Sequence, residues 1–275
     1  CAASAENGIE SITQTNDATG THVDDIFQDN TGAFSQVATS NNGCDATTFS
    51  FSGDNNAVCA SAAENTIGPV AQTNTATGND DVLLDQDNNV AMTQDASANN
   101  DCDATAQNDA ICAAAAENEI ESITQTNEAT GDDFASILQS NDAVIVQNVD
   151  ALNSCDESGD GSDAATCTSD ADNFFGFVGP IAQTNTATGG DQSTASQSNG
   201  AQITEISGTI SDCDEENTGD NLALCSADAE NGIESMIQTN DATVGDDTVQ
   251  LNFVGVNQEA QVENVCDETG LGDNA

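Results

Sequence analysis

CAASAENGIESITQTNDATG, residues 1–20, decides the fold because it comes back four more times. The later copies read CASAAENTIGPVAQTNTATG from Cys59, CAAAAENEIESITQTNEATG from Cys112, CTSDADNFFGFVGPIAQTNTATG from Cys167 and CSADAENGIESMIQTNDATVG from Cys225. Gln-Thr-Asn stands in all five, giving the series Gln14, Gln72, Gln125, Gln183, Gln238 and the series Asn16, Asn74, Asn127, Asn185, Asn240. Each copy closes on Cys-Asp, from Cys44-Asp45 to Cys266-Asp267. The chain therefore divides into repeats 1–58, 59–111, 112–166, 167–224 and 225–275. A period of 51 to 58 residues held from end to end marks a solenoid or stacked array.

Within the phrase the alternation is strict. In Ile12-Thr13-Gln14-Thr15-Asn16-Asp17-Ala18-Thr19, the residues Ile12, Gln14, Asn16 and Ala18 share one face and the three Thr and Asp17 share the other. The first set is read as inward. Two more Gln follow at offsets of 14 and 22 from the first: Gln28 and Gln36, Gln86 and Gln94, Gln139 and Gln147. Repeat four has Gln197 and Glu205 there, and repeat five has Asn252 and Ala260. Short strands such as 25–28, 33–37, 82–86 and 143–149 are expected, stacked on their equivalents. Stacked Gln and Asn bond along the stack, which satisfies buried amides without a large apolar core. Thr, Asn, Asp and Gly are abundant and no 3.6-residue stripe persists, so helix is disfavoured. The expected fold is all-β, a five-repeat β-solenoid-like or stacked-strand array with amide ladders and disulfides.

Forty-nine acids and no Lys or Arg give a formal charge of −49. Phosphate recognition needs a basic surface, so nucleic acid is excluded as a partner. No apolar run approaches the ~20 residues of a membrane span, and no membrane insertion is expected. The missing Lys and Arg remove every trypsin-type cleavage site, which suits persistence outside a cell. No signal peptide is read, so a mature secreted form is expected. With no Trp or Tyr and an Ala-rich apolar fraction, burial per residue is low. Covalent links, ladders or neighbouring subunits must supply the difference.

Ten cysteines at regular spacing point to disulfides in an oxidising setting. One scheme closes each repeat, Cys1 with Cys44 through Cys225 with Cys266. A second closes the short intervals: Cys44 with Cys59, Cys102 with Cys112, Cys155 with Cys167 and Cys213 with Cys225. It leaves Cys1 and Cys266 for intermolecular bonds and is the one preferred, since short intervals suit hairpin closure. Zinc is disfavoured, because no Cys-x-x-Cys occurs and His22 is the only histidine. Cys1 shares the frame of the other repeat-opening cysteines, so it is read as scaffold rather than as a lipidated residue. Nine residues follow Cys266, so a second copy's Cys1 placed after Ala275 would keep the spacing. Neither end reads as a cap, and head-to-tail addition of identical copies is expected.

No cofactor is expected beyond calcium or other divalent counterions. Acidic clusters, Asp156, Asp160 and Asp163 among them, offer oxygen ligands for weak, diffuse binding of such ions, with a solvated acidic face as the alternative, and none matches a defined calcium loop. No nucleophile elbow or phosphate loop is present and the thiols are periodic, so no enzyme is expected. Phe174, Phe175 and Phe177 interrupt repeat four and are read as a lateral contact patch. A Thr-x-Thr ice-binding ladder is argued against by Ala71 and Ala182, which break the Thr13 series.

The pattern Ile12-x-Gln14-x-Asn16-x-Ala18, with Ile137-Leu138-Gln139-Ser140-Asn141-Asp142-Ala143 and Gln147, resembles the curlin-type repeats of extracellular bacterial amyloid fibres. That resemblance implies strands with inward Gln, Asn and Ala. In its acidic, thiol-rich composition the chain is also similar to the sheath proteins of methanogenic archaea, which implies a cross-linked β-rich tube. Both imply an extracellular structural protein whose partner is itself, building a filament, tube or sheath. An acidic adhesin or calcium-binding surface protein is the alternative.

Overall fold

The structure is a computed structural model. It describes residues 1–20, 25–47, 57–79, 81–105, 109–159, 164–175, 179–217 and 222–270. Each repeat contributes three strands, two short and one long. They are β1 (Ala2–Ile9), β2 (Ile12–Thr19) and β3 (Ile26–Thr47), then β4 (Ala57–Ile67), β5 (Val70–Thr77) and β6 (Leu83–Thr105). Repeat three gives β7 (Ala110–Ile120), β8 (Ile123–Thr130) and β9 (Ser136–Gly159). Repeat four gives β10 (Ala164–Phe175), β11 (Ile181–Thr188) and β12 (Thr194–Asn217); repeat five gives β13 (Leu222–Ile233), β14 (Met236–Thr243) and β15 (Thr248–Gly270). Like strands stack in parallel into three five-stranded sheets, β1-β4-β7-β10-β13, β2-β5-β8-β11-β14 and β3-β6-β9-β12-β15. The molecule is an all-β, solenoid-like stack of five rungs.

Register follows the repeat residue for residue: Gln14 lies on Gln72, and Cys167 on both Cys112 and Cys225. A slip of one would turn every inward amide to solvent and every outward acid inward. The long strand folds back across both short ones. Asn7 of β1 donates to the Val37 carbonyl, and Asn16 of β2 to the Asp29 carbonyl, both on β3. The short strands expected at 25–28 and 33–37, 82–86, and 143–149 are thus parts of single strands of 22, 23 and 24 residues. Nothing breaks them, because ladder bonds satisfy the amides that would otherwise demand a turn.

Two corners shape each rung. Between the second short strand and the long one, Asp81, Phe134 and Gln192 occupy the equivalent position of rungs two to four, with φ of 57°, 64° and 63°. This left-handed residue reverses the chain. Between β4 and β5, Gly68 sits directly over Glu10, where an added Cβ would come within 1.9 Å of the Glu10 carbonyl oxygen. Only glycine lets the rungs approach there.

The interior is laid down in columns. A cysteine column at one edge is followed by an Ala zone including Ala63, Ala96, Ala116 and Ala171. Beyond it lies the bulkiest cluster, Ile67, Ile120, Phe175, Ile181, Ile145 and Met92, and last a Leu84, Ile137 and Ala129 cluster at the corner. Amide columns run between these apolar zones. Among the described residues, no helix is long and apolar enough to cross a membrane.

Candidate assembly surface

Ladder chemistry is set by the amide's two ends. In the first Gln column, Gln72 Nε2 donates to Gln14 Oε1 (2.7 Å), Gln125 to Gln72 (2.8 Å), Gln183 to Gln125 (2.8 Å) and Gln238 to Gln183 (2.7 Å). Every donor points toward rung one. In the neighbouring Asn column, Asn16 Nδ2 donates to Asn74 Oδ1, Asn74 to Asn127, Asn127 to Asn185 and Asn185 to Asn240, all at 3.0 Å. Those donors point toward rung five. The ten ladder residues read from the sequence are therefore brought together as two columns of opposite polarity.

Facing them on the long strands are Gln28, Gln86, Gln139, Gln197 and Gln250, and Asn30, Asn88, Asn141, Asn199 and Asn252. The two Asn columns interlock across the layers: Asn30 Nδ2 reaches Asn74 Oδ1 (2.9 Å) and Asn74 Nδ2 reaches Asn88 Oδ1 (3.1 Å). Each also donates to a carbonyl of the opposite sheet, as Asn127 does to Ser140 (2.9 Å). In repeat five the register partner of Gln197 is Gln250 and that of Glu205 is Gln258, in place of Asn252 and Ala260. The corner before β15 is two residues shorter, which moves the whole strand back by two.

A further Asn column escaped the sequence reading. Asn7, Asn65, Asn118, Asn173 and Asn231 bond in series at 3.0, 3.0, 3.2 and 2.9 Å. Its signal was present in every copy, as the Asn that follows Glu or Asp in AEN and ADN.

The disulfides correct the preferred pairing. Cys59 bonds Cys102, Cys112 bonds Cys155, Cys167 bonds Cys213 and Cys225 bonds Cys266, with Cα separations of 6.2 to 6.3 Å. Each closes its own rung, because the fold-back sets an inward position near the end of the long strand against one near the start of the first short strand. Cys44 and Cys59 belong to different rungs and opposite sheets, so the short-interval scheme fails. Cys266 is consumed within its rung and is not left for a neighbouring molecule. Cys1 and Cys44 are free, Cys1 exposed and Cys44 buried, at the register positions of the bonded Cys59 and Cys102. Successive rungs bring the sulfurs close: those of Cys112, Cys155 and Cys167 lie within 4.8 Å of one another.

Phe175 is fully buried, stacked in register with Ile120 and Ile233. The three-Phe lateral patch is therefore not a single surface; Phe174 faces outward beside Gly232, and Phe177 lies outside the described residues. Phe175 faces inward because it takes the Ile position of the alternation, whatever its size.

Carboxylates form outward columns. Asp45, Asp103, Asp156, Asp214 and Asp267 stack in register, as do Glu6, Glu64, Glu117, Asp172 and Glu230. Partial burial, then repulsion from like charges two residues back on the same strand (Asp101 for Asp103, Asp212 for Asp214) and from those in adjacent rungs, raises the pKa values of Asp103, Asp156 and Asp214. Asp172 is pushed up to about 6 by burial and then by Asp170, Glu230, Glu117 and Asp228. Asp160 and Asp163 lie outside the described residues, as does His22.

The end rungs are the surface where these columns stop. β1, β2 and β3 form one set of edges and β13, β14 and β15 the other. At the rung-one face the Gln14 and Gln28 ladder donors and the Asn16 acceptor look outward along the stack. At the rung-five face stand the Gln238 and Gln250 acceptors and the Asn240 donor. The two faces are complementary, and the Val254, Val256 and Val262 side chains of the inward face of β15 are about half exposed at the second (44%, 46% and 51%). Comparison with protein-family models, with curated proteins and with solved structures finds no match to this chain. Its four disulfides suit an oxidising environment.

Proposed function

We propose that this is an extracellular structural protein whose copies stack end to end into a filament, tube or sheath. The observation that carries the reading is the complementarity of the two end faces. Rung five offers acceptors where rung one offers donors, and donors where rung one offers acceptors, in the same cross-section. Exposed parallel edges are templates for further strands unless something blunts them, and a heterologous contact that does not close propagates. Disulfides inside rungs two to five and the absence of Lys and Arg support a setting outside the cell. The outward carboxylate columns repel one another between adjacent polymers, so divalent cations such as calcium would favour lateral association.

Electron microscopy of the wild-type chain and of Val256→Asp tests this. Wild type should give long ordered assemblies. The variant places a charge on the rung-five face, beside Ile203 of rung four, and should give dispersed particles with unchanged β-sheet circular dichroism. Dispersed wild-type monomers at every concentration and salt, or equal assembly by the variant, would sink the reading.

A further inference from the structure

One column departs from the others by a single atom. Gln36, Gln94, Gln147, Glu205 and Gln258 stack in register beside the Asn7 column. Gln94 Nε2 donates to Gln36 Oε1 (3.0 Å) and Gln147 Nε2 to Gln94 Oε1 (2.9 Å); above the break, Gln258 Nε2 donates to Glu205 Oε2 (2.6 Å). The link between Glu205 and Gln147 is missing, because a carboxylate has no hydrogen to give. Gln147 Oε1 and Glu205 Oε1 are both buried and without a hydrogen-bond partner. Both side chains are fully buried. Two acceptor oxygens thus occupy the step that an N–H···O bond fills in the rest of the column.

We propose that Glu205 is a proton-binding site. Protonated on Oε1, the carboxyl donates its O–H to Gln147 Oε1 and stands in for the absent amide, so the ladder runs unbroken through rungs three and four. Loss of that proton leaves a buried charge against a carbonyl oxygen and weakens this junction. The chain has no Lys or Arg to neutralise it, and a buried unpaired charge is costly enough to be discharged by protonation.

The neighbours facing Glu205 are uncharged on every element packed against it: Ile145, Gln147 and Val149 on β9, Val256, Gln258 and Ala260 on β15, Ala171, Asn173 and Phe175 on β10, and Ala229 and Asn231 on β13. The nearby acids on those elements, Asp150, Glu259, Asp172 and Glu230, stand at the alternate, outward positions. Burial moves the Glu205 pKa up to about 7, with the bond from Gln258 pulling it down. A folded value above the ordinary one means stability that is full below about 4.5 and lost as pH rises toward about 7.

The test compares wild type with Glu205→Gln on dispersed chain, so it stands whether or not copies stack. Denaturant unfolding is followed from pH 4 to 9. Other carboxylates titrate in both proteins, so the ratio of unfolding constants isolates Glu205. That ratio should change on the order of a hundredfold between pH 4.5 and 7 and stay level above. Glu205→Leu, which also lacks the titration, should show the same pH dependence against wild type. Asp172 is also partly protonated near pH 6, so the infrared readout is the wild-type-minus-variant difference spectrum, which should show a protonated-carboxyl band for both variants. A ratio that is constant with pH, a difference spectrum without that band, or a Glu205→Gln chain that fails to fold would each overturn the proposal.

Discussion

Replacing Asn127 with Ala removes the centre of the amide network. Its Nδ2 hydrogens are shared among Ser140 O, Asn141 Oδ1, Asn185 Oδ1 and Gln86 O at 2.9 to 3.3 Å. Its Oδ1 accepts from Asn74 at 3.0 Å and Asn88 at 2.9 Å. Two hydrogens donated and two accepted, at about 1 kcal/mol net each, come to about 4 kcal/mol. For a chain of this size that is a fall in melting temperature of roughly 8 to 16 °C. Thr126→Ala, one residue away on the outward face, removes a hydroxyl with no ladder role and should cost less than about 0.5 kcal/mol. Both variants would be unfolded in guanidinium with disulfides intact, and their midpoints compared with wild type. Equal midpoints for the two variants would refute the claim that amide ladders hold the rungs together, leaving backbone pairing and disulfides as sufficient.

Three further outcomes are expected. Each shifted carboxyl described above has its pKa raised, so stability should be greatest near pH 4 and decline as pH climbs through about 6, where Asp172 titrates; Asp172→Asn should flatten part of that decline in denaturant midpoints. Alkylation of the native protein should label Cys1 and spare Cys44 until denaturant is added, and mass spectrometry after cleavage at acidic residues should recover Cys59 linked to Cys102 rather than to Cys44. Phe175→Ala should cost about 3 to 5 kcal/mol in unfolding free energy, as a buried aromatic does, where a surface patch residue would cost almost nothing.

The stack and its ladders were legible because period-2 alternation and a fixed Gln-Thr-Asn phrase leave few other solutions. What stayed hidden depends on how the chain turns. Gln250 was misplaced because counting from Gln238 cannot see a corner shortened by two residues. The disulfide partners were misjudged because linear spacing does not reveal that a 22-residue strand doubles back over two short ones. Phe175 was read as surface from its chemistry, although its place in the alternation already matched that of Ile120. Glu205 was visible as a departure from Gln, but the pair of facing oxygens needs the register.

The strand lengths also set how such a stack bears force. A long strand of 22 to 24 residues at ~3.3 Å each runs roughly 75 Å, while five rungs at ~4.8 Å rise only about 24 Å. Each copy is a broad, shallow slab. All four sulfur bridges lie in the plane of a rung, so they resist delamination of the two layers. Tension along the axis instead falls on a full plane of hydrogen bonds strained together, which makes the slab stiff lengthwise and places its cleavage plane between rungs.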